Sequence, residues 1–202
     1  MFSTGSEDYI APPEAAVALA EEIPPIEITY FPWLTITIAA TLIGMFMIMM
    51  GVNNCPKHTI PPDVCFPAIF GRFSLQPTDQ NPKYGPFRET LIKMGGLYFK
   101  QVLHINQAWR LLSNIWLHEG LILLLTDIAI LLAVGVPLNR KFRFARVGSL
   151  YLISGLGGSL ASSLFYESSV TVGASGALVG LAGGTISKVV TCYLLLSRCP
   201  SM

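Results

Sequence analysis

Between residues 31 and 196 the chain sets long apolar stretches against one broad polar interval. FPWLTITIAATLIGMFMIMMGV, residues 31 to 52, carries no charge. At about 1.5 Å per residue it is long enough to cross a hydrocarbon core of about 30 Å, which predicts a membrane-spanning helix. Residues 53 to 108 are polar and broken by NNCPKH, IPPDVC, QPTDQNPKYGP and MGG, a punctuation that predicts loop with short helices. Apolar character returns near WLHEG and runs to about Pro137, interrupted by Asp127. A third run covers Val147 to Tyr166, and a fourth covers Val170 to Leu196 with Lys188 inside it. The pattern predicts an all-α, multi-pass membrane bundle with about four spanning helices. Charges at 127 and 188 within such helices demand a partner, a cavity or a path to the interface.

Composition agrees with the pattern: 52% of the 202 residues are hydrophobic and 12% charged, too apolar for an ordinary soluble domain. A net charge of +1 without a broad basic patch argues against nucleic acid as a partner. No Lys or Arg occurs before residue 57, whereas Glu7, Asp8, Glu14, Glu21, Glu22 and Glu27 make residues 1–30 acidic, the composition of a disordered tail. Without a basic segment ahead of it, the run at 31 reads as a retained anchor and not as a cleaved signal.

Arg140, Lys141, Arg143 and Arg146 crowd the short hairpin between the second and third runs. The positive-inside rule places that hairpin and the amino terminus in the cytosol, and the 53–108 loop on the lumenal or extracellular side. Cys55 and Cys65 are the pair in that loop that invites a disulfide; Cys192 and Cys199 read as small buried or interfacial residues. Residues 197–202 form a short tail. No cofactor or metal is expected.

TVGASGALVG, residues 171 to 180, sets Ser175 among small residues about five positions, or roughly 7 to 8 Å, inside the fourth run. Gly176, Gly180 and Gly184 recur every four residues, and Ser154, Gly158 and Ser162 repeat that spacing on the third run. Matching flat faces of this kind let two membrane helices approach closely. On spacing alone, Ser175 is a packing residue.

GASG at 173 to 176, WRLLSNIWLHEG at 109 to 120, and the preceding loop with GRFSLQP and NPKYGP together resemble the rhomboid family of intramembrane serine proteases, in particular its plant branch. The likeness runs from about Phe31 to Leu196. It implies a core of six helices, sometimes seven, that cleaves transmembrane segments of other proteins. Ser175 matches the family nucleophile, while the general base is a histidine on the sixth core helix. Trp109, Arg110 and His118 match residues that shape the lumenal loop, and Gly173, Gly176, Gly180 and Gly184 fall in structural positions.

Departures from the family set the functional expectation. Leu123 and Asp127 fall where the family holds its oxyanion with His and Asn; leucine has no polar hydrogen and ionised aspartate only accepts. The chain ends at Met202, so it reads as a carboxy-terminally truncated, degenerate member without the fifth and sixth helices or their base. Its histidines, His58, His104 and His118, fall in the loop or at its boundary. On a regular helix His118 and Asp127 would lie on opposite faces, about 13.5 Å apart along the axis, and would not pair. The expectation is therefore a catalytically inactive rhomboid-like protein, a pseudoprotease and not an enzyme, with membrane lipids as its surroundings. Client transmembrane helices would bind at its glycine-lined groove, and copies of the chain would associate through the apolar flank left exposed without helices five and six. The alternative is an intramembrane endopeptidase using Ser175. A secretory-pathway or plasma membrane location is expected.

Overall fold

The structure, a computed structural model, describes residues 31–58, 65–98, 106–165 and 169–198. The acidic tail 1–30, His104 and Cys199 lie outside the described residues, as do the side chains of His58 and Cys192. The long helices are α1 (Trp33–Asn53), α5 (Leu121–Lys141), α6 (Phe144–Phe165) and α7 (Ser175–Arg198). Short helices α2 (Cys55–His58), α3 (Arg88–Lys93) and α4 (Arg110–Ser113) lie between α1 and α5.

Helix α1 ends at Asn54, whose left-handed backbone (φ 43°, ψ 62°) returns its N–H to Met50 O. Leu42, Phe46, Met49 and Met50 face the core, while Ile36, Ile43, Met47 and Ile48 remain exposed. In α5 the turn Leu131–Gly135 is wound as a π-helix immediately before Pro137. Proline donates no hydrogen bond and crowds the preceding turn, and a widened turn accommodates it. Exposed apolar side chains on α5 to α7, among them Leu125, Ile153, Leu164 and Val189, face outward as a lipid-embedded bundle requires.

The architecture is an all-α membrane bundle. Three helices among the described residues, α1, α5 and α6, are long and apolar enough to cross a membrane, one fewer than the four runs suggested. The fourth run forms a helix of 24 residues, but Gly, Thr185, Ser187 and Lys188 dilute its apolar character. Lys188 Nζ lies 6.0 Å from the Phe142 ring centroid, in the turn between α5 and α6.

Helix α7 also begins later than its apolar run. Thr171 exchanges backbone hydrogen bonds with Leu97 (3.0 and 2.9 Å), and Gly173 sits at φ +135°, where an L side chain is strained. The β-branched residues Val170, Thr171 and Val172 suit this extended bridge, which holds the chain out of helical geometry until Ser175. Ser175 therefore occupies the first turn of α7 and does not lie five residues inside it.

Helices α6 and α7 meet backbone to backbone. A Cβ at Gly158 would stand 2.8 Å from Gly176 Cα, one at Gly180 would stand 2.1 Å from Ser154 Cβ, and one at Gly184 would stand 2.8 Å from Leu150 Cδ2. In lipid, where water does not drive helices together, this close approach supplies the packing and dispersion that join them.

The loop before α5 is held by different means. Cys55 and Cys65 form a disulfide. Asn81 Nδ2 donates to Pro86 O (2.9 Å) and Glu119 O (3.0 Å), and Leu121 N–H donates to Tyr84 O (3.0 Å). The crossing strands touch at glycines, since a Cβ at Gly120 would lie 2.0 Å from Lys83 O and one at Gly85 would lie 1.9 Å from Glu119 O.

Candidate active site

Ser175 is exposed and opens onto a groove of about 490 Å³. Asn114, Ser154, Gly158, Ser159 and Gly173 stand in its wall. The groove exists because α6 and α7 present so few side-chain atoms at this end of their seam. The first turn of α7 points unpaired backbone N–H groups and the positive end of the helix dipole toward the serine. Leu178 N–H to Ala174 O is the first backbone bond that closes this turn.

Asn114 is 4% exposed and is tied from two directions. Its backbone O accepts the Gly173 N–H (3.0 Å), and its Oδ1 accepts the Ser159 hydroxyl (3.0 Å), which also lies 2.9 Å from Gly155 O. It thus links the 3-10 turn Asn114–Trp116 to both α6 and the approach to α7. Sequence reading passed over Asn114; the available signal was a single amide inside the apolar WRLLSNIWL, a residue type that is buried only when its bonds are met.

His118 and Asp127 require a correction. They are not separated by a regular helix: His118 Nε2 lies 3.1 Å from Asp127 Oδ2. Leu117 (ψ 149°) and Gly120 (φ −172°, ψ 167°) are extended, and α5 begins only at Leu121. The chain consequently bends His118 back alongside the helix that carries Asp127. His118 is 1% exposed, and its Nδ1 has no hydrogen-bond partner. The expectation that the chain lacks a histidine suited to catalysis, and so is not an enzyme, is overturned by this buried, carboxylate-paired imidazole. Neither Asp127, which turns to His118, nor half-buried Leu123 lines the groove before Ser175.

Arg110 is 5% exposed and donates from Nη1 to Ile92 O (2.7 Å) and Gly96 O (2.9 Å). Its Nε donates to Gln107 Oε1, and its guanidinium lies 4.9 Å from the Trp109 ring centroid. Burial pushes the Arg110 pKa down from its usual value. Ser113 Oγ adds a bond to Gly95 O (2.7 Å), so α4 clamps the turn after α3, whose continuation at Leu97 pairs with Thr171. Through this chain of contacts Trp109 and Arg110 bear on the segment leading into Ser175.

Residues 105–202 match the Rhomboid domain model. RHOMBOID-like protein 2 of Arabidopsis thaliana is 51% identical over 150 residues, covering 74% of this chain and 47% of that protein. RHOMBOID-like protein 4 of the same organism is 46% identical over 170 residues (84% of this chain, 42% of that protein). Inactive RHOMBOID-like protein 8, also from Arabidopsis, is 34% identical over 157 residues (78% and 44%). The chain spans about half the length of the curated relatives it matches. No solved structure matches it significantly. With its helical bundle and the GASG serine at a helix start, the chain is a multi-pass membrane protein of the rhomboid family, from its plant branch.

Proposed function

We propose that the chain carries the nucleophilic centre of a rhomboid-type intramembrane serine peptidase. The observation that supports this most is the placement of Ser175, exposed in the first turn of α7 and open to a groove of about 490 Å³. The groove receives an unwound stretch of a client transmembrane helix, and Ser175 Oγ attacks a peptide carbonyl. A serine hydroxyl needs a proton acceptor, and among the described residues the groove lining contains no imidazole, carboxylate or amine. The acceptor therefore comes from beyond the lining. His118, whose Nε2 lies 3.1 Å from Asp127 Oδ2, is the described imidazole; its Nδ1 is buried and outside the groove lining, so it takes the proton only once the loop carrying it is brought to the groove. The proton then passes to the leaving amine, and water releases the acyl group from Ser175.

The same reading keeps the basic 139–146 hairpin in the cytosol and the Cys55–Cys65 loop on an oxidising face, in a secretory-pathway or plasma membrane. Glycosylation sites inserted into residues 76–87 are expected to be modified, while sites in the hairpin stay bare; the opposite pattern contradicts this topology. For the chemistry, the full chain is reconstituted in lipid with a single-span client whose helix is weakened by glycine. The expected result is cleavage that Ser175→Ala abolishes and His118→Ala reduces at least about a hundredfold. No cleavage, or cleavage that survives Ser175→Ala, contradicts the reading.

A further inference from the structure

We propose that Asn114 supplies the side-chain oxyanion donor for Ser175, through its Nδ2 amide. This rests on Ser175 being a nucleophile. The serine needs such a donor because a tetrahedral intermediate places negative charge on the former carbonyl oxygen, and preorganised N–H groups stabilise that charge more than the neutral ground state. Positions 123 and 127 do not provide one. Leu123 has no polar hydrogen, and Asp127 is engaged with His118 and lies outside the groove lining.

Asn114 meets the requirement from an unexpected place, the turn before α5. It lines the groove together with Ser175, and its backbone O fixes Gly173, two residues before the serine, at 3.0 Å. Its Oδ1 is committed to Ser159 (3.0 Å). With Oδ1 on the Ser159 hydroxyl, Nδ2 is the open end of the amide: among the described residues it has no hydrogen-bond partner. The residue as a whole is 4% exposed, and its unbonded N–H pair is reachable from the groove that Asn114 lines, where an incoming acceptor can meet it. A developing oxyanion is a group it suits, with the unpaired N–H groups at the start of α7 on the other side. Both donors stand on packed elements, so neither has to reorganise when charge appears.

The test measures labelling of the full chain in lipid by a fluorophosphonate, whose adduct carries a phosphoryl oxygen where the oxyanion would sit. Variants are Asn114→Ala, Asn114→Leu and Ser175→Ala, and the thermal midpoint of each is recorded. Ser159 retains Gly155 O as an acceptor in both Asn114 variants, and Asn114→Leu keeps the side-chain size while removing the N–H donors without adding a charge. The expected result is labelling of the parent chain, none of Ser175→Ala, and a rate lowered about a hundredfold or more in both Asn114 variants, with the Asn114→Leu midpoint unchanged. Labelling of both Asn114 variants at the parental rate overturns the donor role and leaves the nucleophile standing. Absence of label in the parent chain overturns the nucleophile, and the donor role with it. Slow labelling of Asn114→Leu accompanied by a lowered midpoint assigns Asn114 to packing and also overturns the proposal.

Discussion

The seam between α6 and α7 and the loop ahead of α5 hold the same groove from two sides by opposite physical means. The seam works by leaving atoms out: Gly158 and Gly176 let two backbones touch, and Gly180 and Gly184 make room for the Ser154 and Leu150 side chains. The loop works by polar atoms in fixed places, with Asn81, Arg110, Asn114 and His118 each spanning to a distant segment. One is broken by adding a methyl group, the other by removing an amide. Substitutions of each kind therefore separate the two.

The largest effect is expected at the seam. Gly158→Val drives side-chain carbons into the Gly176 backbone and should cost at least about 3 kcal/mol, or prevent folding, as read by thermal unfolding in detergent. Gly157→Ala on the same helix meets nothing within 4 Å and should be neutral or stabilising by up to about 1 kcal/mol. Equal losses from both would show that the seam does not depend on close approach.

In the loop, Arg110→Ala removes the side-chain donor from buried Gly96 O and one of two donors from Ile92 O, which keeps the Gly95 N–H, and should cost roughly 3 kcal/mol in the same measurement. Arg110→Lys should recover little of it, because an ammonium has no second nitrogen to hold Gln107 Oε1 while the first reaches Ile92 O and Gly96 O. Full recovery would reduce the role of Arg110 to its charge.

A smaller loss, about 2 kcal/mol, is expected for Asp127→Ala, which leaves His118 buried with neither ring nitrogen bonded. Asp127→Asn keeps an acceptor and should lose less. If Asp127→Ala is neutral, the His118–Asp127 pair does not hold the loop to α5. Least of all is expected from Lys83→Ala, whose ion pair with Glu119 is exposed and should contribute no more than about 0.5 kcal/mol, with high salt removing even that.

The two sides also differ in how far they could be read from sequence. A helix spaced with Gly every fourth residue has its flat face written into local order, so the seam partners Ser154, Gly158, Gly176 and Gly180 were legible, as were the α1, α5 and α6 spans from apolar length alone. The His118–Asp127 pair was not, because helical counting assumes the helix it counts along, and α5 starts three residues after His118. What delays that start is a crossing of Gly85 over Glu119 and Gly120, set by segments some 35 residues apart. The extended entry to Ser175 was hidden for the same reason, since its bridge partner is Leu97. Asn114 acquires its place only when Ser159 and Gly173 arrive beside it.

The most direct test of the groove as a reaction centre is to map, by peptide mass spectrometry, the residue modified when the full chain in lipid reacts with a serine-directed phosphonate. The prediction is a single adduct on Ser175, formed faster than on any other of the chain's serines and lost when His118 is replaced by alanine. An unmodified Ser175, or an adduct spread over Ser154, Ser159 and Ser162 at similar rates, would show that the groove holds no activated nucleophile.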